Sequence, residues 1–289
     1  MRLIYNFRYL IEFLIISIFF FIYKILGKKL SSFISKKIFR FLGPFFKSKK
    51  IIEDNFRRVF PNITDKELKS NIKEMWSYYG QILSEYPFLK NFRKNKINKN
   101  LKIIGEETLN EIKINKEKVI FISGHFDNFE LMAMTIEKYG VELAAIYRPL
   151  NNYFLNPKME KIRKNFICKN QIKKGRSSIR SLIKLFNNGT SVALMIDQRV
   201  SEGIKAKFFN NVAYTTTIPA QFVKKFNCRV VPIYIERTDG MNFILRVFKP
   251  IKFKDDDSIL SITENLNKQL EKMILMNPTK WIWTHNRWK

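Results

Sequence analysis

Val119-Ile120-Phe121-Ile122-Ser123-Gly124-His125-Phe126-Asp127-Asn128-Phe129-Glu130 is the stretch whose reading decides the fold class. The apolar run up to Ser123 lacks the polar interruptions of an amphipathic helix and reads as a strand buried on both faces. Gly124 permits a sharp turn, and from Asn128 to Tyr139 the pattern becomes helical. One of the chain's 2 histidines therefore stands at a strand-to-helix junction, with Glu130 five positions later.

Outward from this unit the alternation continues. Strands are predicted over Glu142–Tyr147, Ser191–Ile196, Arg229–Glu236 and Phe243–Phe248, and helices over Pro157–Phe166, Ser177–Asn187 (closed by Gly189), Ile218–Phe226 and Ile259–Met276. Upstream, Ile51–Phe60 and Thr64–Tyr86 read as helices, the second opening on a Thr64/Glu67 capping box, whereas basic Lys90–Asn100 reads as a loop. Strands alternating with helices imply an α/β fold with a mainly parallel central sheet covered by helices on both faces. Such sheets bind ligands beyond the carboxyl ends of their strands, where His125 and Asp197 both fall.

Five residues along a regular helix turn about 500°, which would leave His125 and Glu130 roughly 140° apart. They can meet only if His125 lies in the turn before the helix and Glu130 in its first turn. Two readings then stand side by side. Glu130 could orient the imidazole, or Asp127 and Glu130 could form an Asp-x-x-Glu capping box. In the first, Glu130 fixes the tautomer while His125 removes a proton from a hydroxyl attacking a carbonyl. No Gly-x-Ser-x-Gly elbow is present, and Cys168 and Cys228 lack the context of a nucleophile, so direct attack by an acceptor alcohol is preferred to an acyl-enzyme. With only His125 and His285 as imidazoles there is no zinc set; no metal and no cofactor is expected.

The formal charge of +28 calls for an acidic partner: nucleic acid, an anionic membrane surface or an acidic protein. A composition rich in Lys, Asn and Ile, of the kind AT-biased codons produce, accounts for part of it. The N-terminus narrows the choice. Leu3 to Leu26 is nearly all apolar, long enough to embed in a bilayer, and no small-residue cleavage site follows. From Lys24 to Arg58 eleven Lys/Arg face only Glu53 and Asp54, interleaved with bulky residues such as Phe33, Phe39, Phe41, Phe45 and Phe46, a pattern suited to anionic lipid. By the positive-inside rule this flank and the body after it lie in the cytoplasm. Residues 1–50 are read as a hydrophobic, basic anchor and 51–289 as the α/β body; no RNP, zinc-finger or helix-turn-helix signature supports nucleic acid as a partner.

Several blocks recur in one order: Gly124-His125-Phe126-x-Asn128-Phe129-Glu130, Tyr147-Arg148-Pro149-x-x-Asn152, Asp197-Gln198, Phe208-Phe209, Pro219-Ala220 and Trp283-x-His285-x-Arg287-Trp288-Lys289. Through them the chain resembles the lipid A biosynthesis (lauroyl and myristoyl) acyltransferases of the lysophospholipid acyltransferase superfamily. The resemblance implies that His125 is the general base and Glu130 its acidic partner. It implies further that Arg148, with Arg163 a second candidate, holds a phosphorylated acceptor, and that Asp197 and Gln198 position the acceptor or close the site. It also implies acyl carrier protein as donor, a lipid A precursor as acceptor, and the bacterial inner membrane as location, with the body on its cytoplasmic side. His285, among Trp281, Trp283 and Trp288, is read as structural or interfacial.

The sequence departs from the family pattern at Asp127 (usually Gly), Phe129 (usually Trp), Asn210 (usually Gly) and Asn286 (usually Arg). These changes leave the reaction type intact and bear on the acceptor. A lysophospholipid or mannosylated-lipid acceptor, a hydrolase using the same dyad on water, and a non-enzymatic basic protein are the rivals.

Overall fold

The computed structural model describes residues 2–45, 49–95, 99–175 and 177–289, with side chains from Asn6 onward. Phe46 of the basic flank lies outside the described residues.

Helix α1 (Arg2–Leu42) opens the chain, kinked at Gly27, whose φ of 74° and ψ of 170° leave the helical region. Its segment Asn6–Phe45 is long and apolar enough to cross a membrane, and little of its most apolar stretch is buried: Phe7, Leu14, Ile18, Phe21 and Ile25 all face outward. The second half docks on α3 (Asp65–Glu85), where Ser35 donates to the Gly80 carbonyl at 2.6 Å, Gln81 donates to Ser32 at 2.9 Å, and Arg40 pairs with Glu74. Gly80 makes this approach feasible, because a Cβ there would stand 2.5 Å from the Ser35 oxygen. The first half of α1 is held by the loop before α7 (Asn156–Phe166): Asn152 donates to the Tyr9 carbonyl at 2.8 Å, and Phe20 and Tyr23 bury against Leu155 and Met159.

After α2 (Lys49–Val59), α3 begins at Thr64 with the expected capping box. The predicted loop at Lys90–Asn100 is instead partly helical, α4 spanning Leu89–Lys94, with buried Leu89 and Phe92 inserting into the core; residues 96–98 of it lie outside the described residues.

The main sheet holds seven strands in the order β1 (Leu101–Ile104), β9 (Asn242–Val247), β8 (Val230–Asp239), β2 (Ile120–Ser123), β5 (Ser191–Met195), β3 (Leu143–Tyr147), β4 (Asn170–Lys173). All its pairings are parallel except β8 with β9. Helices α5 (Glu106–Ile114), α6 (Glu130–Tyr139), α8 (Ser178–Asn187), α9 (Ile218–Phe226) and α10 (Ile259–Met276) complete the α/β body, and β6 (Ile204–Phe208) pairs with β7 (Asn211–Thr215) as a separate hairpin. The core is continuous: Ile120, Phe121 and Ile122 of β2 and Val230, Val231 and Ile235 of β8 are fully buried, with Phe126 and Trp283 among the same cluster. Burial of β2 on both faces is what its unbroken apolar run demands.

Candidate active site

Parallel pairing of β2 with β5 sets the site. Ser123 lies opposite Met195, and Ile196 N–H donates to the Ser123 carbonyl at 2.9 Å. Two residues beyond, the strands release His125 and Asp197 side by side. His125 Nδ1 bonds Asp197 Oδ1 at 2.8 Å and its backbone N–H bonds Oδ2 at 2.8 Å; Trp281 Nε1–H donates to the same Oδ2 at 2.9 Å. A carboxylate at Nδ1 selects the tautomer with the proton there, leaving the Nε2 lone pair free. The imidazole side chain keeps 21% of its exposure while Asp197 keeps 3%, so the ring is partly open and its carboxylate partner is enclosed. Phe129 packs edge-on against the ring at 4.8 Å between centroids.

The electrostatics follow from this enclosure. Burial by itself would raise the Asp197 pKa, but the charge and hydrogen bonds of His125, with Trp281, outweigh it and hold it down at about 2. For His125 burial pulls the other way, lowering its pKa; the Asp197 charge and hydrogen bond, helped by Glu130, overcome that and leave it above its ordinary 6.5.

Glu130 opens α6, as expected, yet its contacts differ from those expected. Its Oε1 accepts from Tyr86 Oη at 2.7 Å and from Arg163 Nε at 3.0 Å, and no hydrogen bond joins it to His125 among the described residues. The Nδ1 position belongs to Asp197, so Glu130 reaches the imidazole only through its field. The reason is direction: Arg163 on α7 and Tyr86 after α3 lie on the side of α6 toward which the Glu130 side chain projects. Burial would lower the Arg163 pKa, but Glu130 and Tyr86 drive it above its usual value, and its guanidinium also sits 5.7 Å from the Tyr147 ring. The capping-box reading fails too. The N-cap of α6 is Phe129, without a side-chain cap, and the Asp127 carboxylate turns away into the interior.

Arg148 follows β3 and is exposed, with no side-chain hydrogen bond or ion pair among the described residues. Gln198 is half-buried next to Asp197. His285 stands apart, its Nε2 accepting from Arg199 N–H at 2.9 Å. Among the described residues no three His, Cys, Asp or Glu gather to hold a metal ion. Both cysteines are buried thiols, pushed up to about 12, which makes them poor nucleophiles. Tyr86 and Trp281 were missed as site residues. Tyr86 carries no local signal, and Trp281 could be found only by knowing which strand neighbours β2.

The family model described as bacterial lipid A biosynthesis acyltransferase matches residues 3–289. The lipid A biosynthesis lauroyltransferase of Escherichia coli K12 is 24% identical over 248 residues, 83% of this chain and 78% of that protein. The lipid A biosynthesis palmitoleoyltransferase of the same organism is 21% identical over 263 residues, 89% of this chain and 84% of that one. Among solved structures, the 1-acyl-sn-glycerophosphate (LPA) acyltransferase PlsC of Thermotoga maritima superposes over 95% of this chain and 99% of its own, at 13% identity and a TM-score of 0.44. With the match running from the third residue to the last described one, the chain belongs to the bacterial lipid A biosynthesis acyltransferase family and is an acyltransferase.

Proposed function

We propose that this protein is a membrane-bound enzyme that moves a fatty acyl chain from the thioester of acyl carrier protein to a hydroxyl of a lipid A precursor, with His125 as general base. The observation that carries the reading is the His125 Nδ1–Asp197 hydrogen bond of 2.8 Å, which favours the tautomer with Nε2 unprotonated on a partly exposed ring. Nε2 takes the acceptor hydroxyl proton as the oxygen attacks the thioester carbonyl. The tetrahedral intermediate then collapses, breaking the C–S bond, and the departing thiolate receives the proton from the imidazolium. Asp197 stabilises that imidazolium by direct contact. Glu130 adds its field and, with Tyr86, fixes the Arg163 guanidinium beside the base. Exposed Arg148 is suited to grip a phosphate of the acceptor, and Gln198 to position the acceptor or close the site.

An apolar α1 with exposed side chains supports attachment to a membrane with residues 1–50 as the anchor, and the basic flank supports a body on the cytoplasmic side of the inner membrane. The net charge of +28 offers a docking field for a strongly acidic carrier protein. The test is acyl transfer by the purified full chain in nanodiscs, given acyl carrier protein thioester and a lipid A precursor. Transfer is expected and His125→Ala should abolish it; transfer at the wild-type rate in that variant would remove the mechanism. Lipid mass spectrometry of a strain lacking the protein distinguishes a lipid A acceptor from a lysophospholipid.

A further inference from the structure

The backbone at Asp127 has φ of 37°, a left-handed conformation that a residue with a side chain adopts only when its surroundings impose it. They do. Asp127 N–H donates to the Lys280 carbonyl at 2.9 Å, and Phe126 bridges Trp281 in antiparallel fashion. The Asp127 carboxylate accepts from Arg237 N–H at 2.8 Å, from the Arg237 guanidinium at 3.1 Å and from Lys280 Nζ at 3.1 Å. Arg237 also pairs with Glu85 at 2.6 Å, and Asn128 donates to Glu85 at 2.7 Å. Two carboxylates and two cations thus balance inside the protein, with side chains 0–4% exposed.

The adjacent residues Lys280 and Trp281 touch both members of the reacting pair's support. Lys280 grips Asp127, two residues past His125, while Trp281 donates to the Asp197 carboxylate at 2.9 Å. The position of His125 against Asp197 is therefore referred to a single short segment that follows α10 in the chain.

We propose that Asp127 is a positioning residue for His125, and that its buried ion pair with Lys280 holds the imidazole in register with Asp197. This rests on His125 being the general base. The pair acts through geometry: it touches no reacting atom, and the charges facing the imidazole itself are Asp197, Glu130 and Arg163. Loss of the clamp lets the turn 124–128 relax from its left-handed backbone and rotates the imidazole off the Asp197 oxygens.

The test uses the full chain in nanodiscs with Asp127→Asn and Lys280→Met combined, which removes one charge of each sign and leaves the Glu85–Arg237 pair balanced. Thermal unfolding is expected within about 5 °C of wild type, because no buried charge is stranded. Turnover is expected to fall about 10- to 100-fold with KM for the acceptor within about twofold, the signature of misplacement by a fraction of an ångström. The His125 imidazole NMR titration, assigned against His125→Ala, should move down toward the ordinary value. A stable double variant with wild-type turnover and an unmoved titration overturns the proposal. Should that variant not purify folded, Asp127→Asn alone, beside which Lys280 can release its proton so that Glu85 and Arg237 stay balanced, decides it by the same two readouts. If His125→Ala retains activity, the general-base reading fails instead, and the titration still reports whether Asp127 sets the imidazole's environment.

Discussion

Asp197→Asn isolates what the enclosed carboxylate contributes. Three N–H donors converge on it: the His125 ring at 2.8 Å, the His125 backbone at 2.8 Å and Trp281 at 2.9 Å. An asparagine of the same shape offers one carbonyl oxygen and turns an NH2 toward the others. Leaving buried donors unsatisfied costs about 1–3 kcal/mol each, so the variant should lose about 2–4 kcal/mol of stability. The kinetic effect is separate. A carboxyl held down at about 2 marks a preference, on the order of a few kcal/mol, for the ionised form beside the imidazole. Withdrawing that support from an imidazolium forming in the transition state should slow the reaction about 10- to 100-fold. The amide also stabilises the tautomer with its proton on Nε2, where no proton can be accepted, and this carries the total loss toward about 10³ to 10⁴. The assay is single-turnover acyl transfer at saturating acceptor, with urea unfolding run alongside. A folded Asp197→Asn enzyme within threefold of wild type would refute the assignment of Asp197 as the imidazole's partner.

Four further outcomes follow from the structure. Glu130→Gln should lower kcat about 10- to 100-fold by loosening Arg163, while shifting the His125 titration far less than Asp197→Asn; an equal shift in both variants would place Glu130 in contact with the ring. Activity requires neutral Nε2, so kcat/KM should rise with pH through a midpoint above 6.5, and a midpoint at or below that value in the wild type would contradict the raised His125 pKa. The stability signs are opposite: the lowered Asp197 pKa stabilises above about pH 4 and is lost as pH falls toward 2, whereas the raised His125 pKa stabilises below 6.5 and is lost as pH rises through its folded value. Gly80→Ala forces a Cβ to within 2.5 Å of the Ser35 oxygen and 2.6 Å of Phe39, so about 1–3 kcal/mol should be lost and the second half of α1 should become protease-sensitive; unchanged stability would mean α1 is not packed on α3.

Much of the body was legible because its signals are local. Helix α10 spans Ile259–Met276 as its apolar period predicts, and β2, β3, β5, β8 and β9 fall where the apolar runs place them, within a few residues. The elements missed lack such signals. Strand β4 reads Asn170-Gln171-Ile172-Lys173, with one apolar residue at an edge of the sheet, and β1 is four residues long at the other edge. The hairpin of β6 and β7 alternates apolar with basic and polar residues outside the main sheet. At the site, His125 and Glu130 were visible as a spacing and Asp197 as a strand end. That Asp197 rather than Glu130 meets the imidazole depends on β2 and β5 being neighbours across 72 residues, which no local pattern encodes. Asp127, read as a cap, found its partners in Arg237 and Lys280, more than 100 residues away.

Leu155 and Met159 are shared between the N-terminal helix and the helix that bears Arg163. If α1 lies in lipid as proposed, a tilt that matches a thinner or thicker hydrocarbon layer is passed to α7 through these shared side chains. On that proposal bilayer thickness becomes a mechanical input to the Arg163 guanidinium, and reconstitution in lipids of different acyl length is a way of adjusting the site without altering a single residue.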